Sequence, residues 1–524
     1  MRKKMMKANP ILLEVFKNRF TSIAEEMGVT LTRTGFSPNI KERQDLSCGV
    51  FNSKGDMIAQ AAHIPVHLGS MPMSVKSAIE SCPWGEGDMV MLNDPFKGGT
   101  HLPDITLVAP VFTGGKKPSF FVANRAHHAD VGGMSSGSMP LSNSIFQEGL
   151  IIPPLKIVER GVIDSKIMDL FLNNVRTPVE REGDFTAQMM ANKAGVRRMR
   201  ELIDKNGLDT VNFYAEALIA YSEESTRAAI KNIPDGVYSF EDYMDDDGFD
   251  REKVRVHVTT TIKGDEAILD FTESDSQVPG GINAVKAITL SVVLYVFRLL
   301  LETNIPTNSG CMRPLNIITR KGTVVDAEFP AAVAGGNVEM SQRIADTVLG
   351  SLSKAMPGII PAASQGTMNN VTIGGIDPGN KKPFAYYETI GGGMGATGKN
   401  DGESAVHSHM TNTLNTPIEA MEYAYPLMVT EYSIRKNTGG KGVKRGGDGI
   451  VREVQLLSDA EVTVLSERRT IAPYGLSGGS SGKKGKNIVI RSGEKEEKPG
   501  KFTVSLRKGD ALRIETPGGG GYGK

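Results

Sequence analysis

The chain has 524 residues, 60 basic and 60 acidic side chains that cancel, 59 glycines and 3 cysteines. That length can bury the cores of two to four domains, and the neutral balance removes the electrostatic basis for nucleic-acid or anionic-membrane binding. Cys48, Cys82 and Cys311 lack C-x-x-C spacing, which excludes a disulfide framework or a Cys-ligated zinc site and fits a reducing cytoplasm.

The basic start is followed by an apolar run that Asn9, Pro10, Glu14 and Lys17 interrupt, so no signal-peptide core is expected. Leu12, Leu13, Val15, Phe16, Phe20, Ile23 and Met27 instead predict an opening helix over residues 11–33. Short β-type runs follow at Cys48–Phe51, Met57–Ala59, Val90–Leu92, Ile105–Val111 and Ser119–Val122. Several lack two-residue alternation, as strands covered on both faces do. Residues 184–230 return to helical spacing. A β-meander is expected at Gly236–Met244, Val254–Ile262 and Ala267–Phe271, with the acidic tip Asp245–Gly248 as a hairpin loop, since its glycine is misplaced for an EF-hand. Helices are expected at Ala284–Thr303 and Val338–Ala355, the second capped by Asn337. The apolar stretch Ala287–Phe297 is too short to cross a bilayer and reads as a buried core helix. Beyond Pro357 the chain is glycine-punctuated and β-like. Mixed rather than alternating helices and strands predict an α+β (mixed α/β), multi-layer fold with long Gly-rich loops. Its expected divisions are 1–230, 231–355 and 356–524.

Seven of the eight histidines fall into two groups: His63, His67, His101, His127 and His128, then His407 and His409. Around the first group, acidic residues sit in turn-like segments: Ile40 to Asp45, Asn93 to Asp104, and Asn124 to Asp130. Imidazole with carboxylate is the ligand set of open Mn, Fe or Zn sites, and the absence of sulfur leans toward Mn or Fe. His101 and Asp104 precede one β-run and His127 and His128 follow another, so adjacent strand ends could bring them together, with Glu42 or Asp45 arriving from the N-terminal loop. The alternative is polar loop histidines with no shared ion. Pro65 makes His63-Ile-Pro-Val-His67 non-helical, so it reads as loop packing beside the site rather than a zincin pair. His407 and His409, spaced i, i+2, could share a strand face and form a polar substrate wall with Thr411, Asn412 and Asn415, or lie in a hydrated loop. Residues 393–400 nearly spell a P-loop, but Asn400 replaces the Ser/Thr and no apolar helix follows. Cys48 has no activating neighbour and reads as structural.

Taken together, SPNIKERQDLSCGVF (37–51), AQAAHIPVHLGSMP (59–72), GDMVMLNDPFKGGTHLPDI (87–105), NRAHHADVGG (124–133), ETIGGGMGA (388–396), HSHMTNTLNTPIE (407–419) and TPGGGGYG (516–523) resemble the hydantoinase B family. This is the HyuB-type component of ATP-dependent hydantoinases and 5-oxoprolinases, related to subunits of acetone carboxylases and caprolactamase. The resemblance implies a two-component enzyme in which a separate HyuA-type ATPase subunit binds ATP and Mg and phosphorylates a small cyclic-amide substrate, in a hetero-oligomer such as A2B2. This chain would supply a divalent metal, Mn favoured, that activates water. The implied ligands are His101, Asp104, His127 and one of Glu42 and Asp45, with His128 as substitute for His127. Arg43 and Arg125, beside these ligands, could hold substrate carboxylate or transferred phosphate, the alternative being surface ion-pairing. An acetone-carboxylase-like subunit and a non-catalytic assembly subunit are the competing expectations.

Overall fold

The computed structural model describes residues 8–61, 64–302 and 304–524; His63 and the expected helix end at Thr303 lie outside the described residues. The opening helix runs Pro10–Thr34. Asn9 caps it by accepting from the amides of Ile11 and Leu12, Pro10 takes the first helical position, and Phe16, Phe20, Ile23, Met27 and Leu31 form its buried face. It crosses the helix Pro178–Asn206 where Gly195 stands opposite Met27. Gly207, with φ of 79°, separates that helix from Leu208–Ile230, so the predicted helical stretch is two helices.

The first sheet contains β1 (Leu46–Asn52), β2 (Met57–Ala61), β3 (Met89–Leu92), β4 (Asp104–Val111), β5 (Phe120–His127), β6 (Leu155–Glu159) and β7 (Val162–Ile163). Its order is β2-β1-β5-β4-β3-β6-β7. Ile105, Leu107, Phe120, Val122 and Ala126 join the core beneath the long helices, whereas Val108, Phe121 and Ala123 pack with Met71, Val75 and Ala78 of the helix Met71–Ser81. Both faces are therefore covered, and every residue of β4 and β5 is buried. Non-alternating strands have this origin.

The meander forms as β8 (Gly236–Asp246), β9 (Glu252–Lys263) and β10 (Glu266–Asp270), joined in parallel by β11 (Leu315–Ile318). At the acidic tip the Asp245 carboxylate accepts from the amides of Arg469, Thr470 and Ile471 at 2.6, 3.0 and 2.8 Å, so the hairpin anchors the C-terminal region. The core helix is shorter than expected, Lys286–Arg298, because Arg298 turns back to donate to the carbonyls of Glu302 and Ile305. Among the described residues no helix is long and apolar enough to cross a membrane.

The next helix differs in kind from its prediction. It begins at Ala334, passes through a π turn at Gly336–Met340 and continues as Ser341–Ala355, so Asn337 lies inside it and caps nothing. The buried Glu148 carboxylate takes the capping role, accepting from the amides of Val333 and Ala334 at 2.8 and 3.0 Å.

Two further sheets pack over a shared core. One contains β12 (Asn370–Ile376), β13 (Pro383–Glu388), β16 (Ala460–Leu465) and β19 (Lys501–Leu506). The other contains β14 (Leu427–Arg435), β15 (Gly449–Leu456), β17 (Lys486–Arg491), β18 (Glu494–Lys498) and β20 (Ala511–Glu515). At their edge, glycine-rich segments stack backbone on backbone. Gly447 donates to Met394, Gly519 to Gly447, Gly440 to Gly519 and Gly521 to Ser480, at 2.8, 3.0, 2.8 and 2.9 Å. The near-P-loop of 393–400 is one irregular layer of this stack. With helix comprising 31% and strand 27%, and no closed barrel among the described residues, the architecture is α+β.

Candidate metal centre

Strand pairing accounts for the assembly of the site. Asp104, the first residue of β4, stands opposite His127, the last of β5, and the same register sets Thr106 against Arg125. Antiparallel partners project on one face, so Asp104 and His127 meet. His128 points oppositely: its Nε2 lies 3.0 Å from Gln188 on the Pro178–Asn206 helix and its ring lies against Phe185. The two-residue period thus turns His128 away from the cluster. His101 comes from the loop before β4. Asn93 holds that loop by donating to the carbonyls of Leu102 and Leu150 at 2.8 and 3.0 Å. Gly98, with φ of 95°, packs where a side chain would strike the Met73 backbone.

Asp104 is the hub. Its Oδ1 lies 3.2 Å from both His101 Nε2 and His127 Nδ1, while Oδ2 accepts from Thr100 at 2.6 Å and faces His67 Nε2 at 3.3 Å. His67 is fixed at its other nitrogen by Ser47 Oγ at 3.0 Å, so it packs beside the cluster. Burial pushes the Asp104 carboxyl up, but His101, His67 and His127 outweigh it and hold the group well below the usual carboxylate range. Burial lowers His127 despite Asp104, favouring the neutral ring a metal requires.

One ligand atom from each of His101, Asp104 and His127 lies within 4.8 Å of the others, and all three residues are buried. Donors at 2.0–2.2 Å around one cation stand about 3.0–3.5 Å apart, so the 3.2 Å separations fit a first-row divalent ion. Asp45 is 7% exposed and lines the same cavity; Glu42 ends the short helix Pro38–Lys41 and is absent from the cavity wall. The cavity holds about 20 Å³, room for about one water.

The two arginines are both held by partners within the fold. Arg125 is fully buried and donates to Thr106, Ser70 and Ser74 at 2.9, 2.6 and 2.7 Å, clamping β4 and β5 to the segment entering the Met71–Ser81 helix; burial lowers its pKa to about 10. Arg43, also buried, donates to the Tyr387 carbonyl and Thr389 Oγ1 at 3.0 Å each and lies over the Tyr387 ring. That ring stacks on His127, with centroids 4.5 Å apart.

His407 and His409 do not share a strand face. His409 adopts φ of 55° in a turn, and its ring reaches Tyr295 and Asp346, whereas His407 faces Thr411 at 3.5 Å. Thr411 lines the cavity with Thr389 and Thr413, so the polar wall consists of hydroxyls with His407 behind them. Asn337 completes the group, its Nδ2 standing 3.0 Å from His101 Nε2. Only the adjoining Gly335–Gly336 pair could have drawn attention to it. Cys48 is buried in β1, where burial pushes its thiol up, away from nucleophilic use.

Burial, reinforced by Arg43, pushes His407 from 6.5 down to about 4. The unfolded chain therefore takes up this proton first, and stability should fall as pH drops from about 6.5 to 4 and level below. His407→Gln should flatten that decline by up to about 1.4 kcal/mol per pH unit, read from urea midpoints across the window. An unchanged slope would refute the assignment.

A model of the Hydantoinase B/oxoprolinase family matches residues 9–524. The chain is 40% identical over 527 residues to a 5-oxoprolinase of Dictyostelium discoideum, covering 98% of this chain and 40% of that one. It is 32% identical over 542 residues to a protein from Pseudomonas sp. named as a component of a D-/L-hydantoinase, covering 99% and 90%. It thus spans about two-fifths of one relative and nine-tenths of the other. The crystal structure of an ATP-dependent caprolactamase from Pseudomonas jessenii superposes with a TM-score of 0.91 at 28% identity, covering 99% of this chain and 91% of that one. An acetone carboxylase superposes equally well, 0.91 at 19% identity over 98% and 76%, a likeness of fold alone.

Proposed function

The chain belongs to the hydantoinase B/oxoprolinase family, and on that premise we propose that it is the B-type component of an ATP-dependent cyclic-amide hydrolase. The observation that carries this reading is the Asp104 carboxylate meeting two imidazoles at 3.2 Å in a buried cavity. His101, Asp104 and His127, with Asp45 adjacent, would hold a divalent cation, Mn favoured. Bound there, it would supply Lewis acidity toward carbonyl or phosphoryl oxygen and lower the pKa of water.

A ring amide resists water because its carbonyl is resonance-stabilised, and phosphorylating the oxygen removes that protection. We assign this step, with ATP and Mg, to a separate HyuA-type subunit. The relative that carries the matched region within a much longer chain supports a second component. In this chain, Asp104 supplies the buried negative charge, Arg43 and Tyr387 brace His127, and the Thr389, Thr411 and Thr413 hydroxyls offer hydrogen bonds to the ring amide. A cavity of about 20 Å³ admits no lactam ring, so its wall must open for substrate to enter.

Purified with its A-type partner, the protein should open hydantoin, 5-oxoproline or lactam rings only with ATP, and should carry a stoichiometric divalent metal that His101→Ala lacks. Unchanged metal content and ATP-coupled turnover in His101→Ala would overturn the reading. Turnover only of ketones with bicarbonate would replace it by a carboxylase.

A further inference from the structure

We propose that Asn337 is a further member of the cation site, its side-chain amide acting as a neutral arm that stands against His101 and Asp104 and offers an oxygen to the ion. The inference rests on the metal reading above and deepens it.

Three observations carry it. Asn337 Nδ2 stands 3.0 Å from His101 Nε2 and 3.4 Å from Asp104 Oδ2, so the amide faces the same two residues as the proposed ion. A cation held on Nε2 would take the place of this contact, so its entry would free the amide. Asn337 is 4% exposed, lines the cavity, and its Oδ1 is buried without a hydrogen-bond partner. A buried orphan oxygen costs about 1–3 kcal/mol, and rotation of the amide by half a turn would aim it at the cluster and relieve that cost.

The backbone accounts for the placement. Asn337 sits in the π turn Gly336–Met340, where one extra residue changes the direction in which the side chains of that turn project. The turn can press against the neighbouring chain because residue 336 is glycine: a Cβ there would collide with the Asn283 carbonyl. Glu148, gripping the amides of Val333 and Ala334, fixes the start of the helix.

Mn(II) affinity of the holo-complex, measured by chelator competition and by EPR, tests the assignment. Asn337→Leu, of similar size with no polar atom, should bind Mn(II) roughly 10–100-fold more weakly. Asn337→Asp should restore affinity to at least the wild-type level with an altered EPR spectrum, because it keeps an oxygen at the same place. If the Leu variant fails to fold, Asn337→Ser, too short to reach the cluster, should show the same loss. Wild-type affinity in the Leu or Ser variant, with binding still abolished in His101→Ala, would overturn this inference and leave the metal reading standing. Unchanged binding in His101→Ala as well would overturn both.

Discussion

Asp104→Asn is expected to reduce ATP-coupled ring opening by about three orders of magnitude, equivalent to about 4 kcal/mol of lost stabilisation at the reacting centre. The substitution keeps volume and shape and removes only charge. Oδ1 is shared by two imidazole nitrogens at 3.2 Å, and Oδ2 already accepts from Thr100. An amide nitrogen on either side would meet at least one group that needs an acceptor, and among the described residues no other carboxylate joins the three-residue cluster. Divalent-metal affinity should fall by more than the 10–100-fold typical of losing an outer hydrogen-bond partner. Thermal stability should change less, because the strands are held independently by Arg125 and its three hydroxyl partners. Wild-type metal content and turnover in a folded variant would contradict the assignment.

Gly519→Ala should destabilise the C-terminal sheets by about 3 kcal/mol or more, the upper range for overpacking. A Cβ at 519 would lie far inside 3.0 Å of the Met394 carbonyl, and Met394 is in turn bonded to Gly447. Relief would require moving three backbones whose hydrogen bonds depend on one another. Urea unfolding monitored at Tyr474, whose carbonyl lies against Gly520, should shift to lower denaturant. Gly493→Ala makes the control: Gly493 turns between β17 and β18, and a Cβ there meets nothing within 4 Å. Its φ of 86° brings a backbone cost alone, so a shift equal to that of Gly519→Ala would refute the packing argument.

The extent to which this site is legible in the sequence follows from distance along the chain. His101, Asp104 and His127 flank two paired strands, so spacing and strand ends sufficed to bring them together. Strand alternation could also have chosen His127 over His128, since Phe121, Ala123 and Arg125 share the face of His127. Asp45 and Glu42 are three residues apart in a turn, and only the observed path of the chain brings one to the cavity. Asn337 lies 233 positions from Asp104, in a π turn that no periodicity announces, and so reads as a cap. Arg125 looks available to substrate in the sequence because its three hydroxyl partners come from residues 70, 74 and 106. The fold class was recoverable from pattern, whereas the stacking of glycine segments was not, because glycine carries no hydrophobic signal.

Synthesis proceeds from the N-terminal side, and that order has a consequence for the closed cavity. The strands bearing His101, Asp104 and His127 emerge while Asn337, Tyr387 and Thr411 are still to be made. N-terminal regions generally begin folding first, so the three donors can assemble with one side open to the surrounding water. The later segments then wall in the cluster. If the cluster holds an ion as proposed, one present during that interval would meet an open site, whereas one arriving afterward would have to wait for the finished protein to breathe. The choice of ion at the proposed site would then depend on what was free near the ribosome as well as on relative affinity.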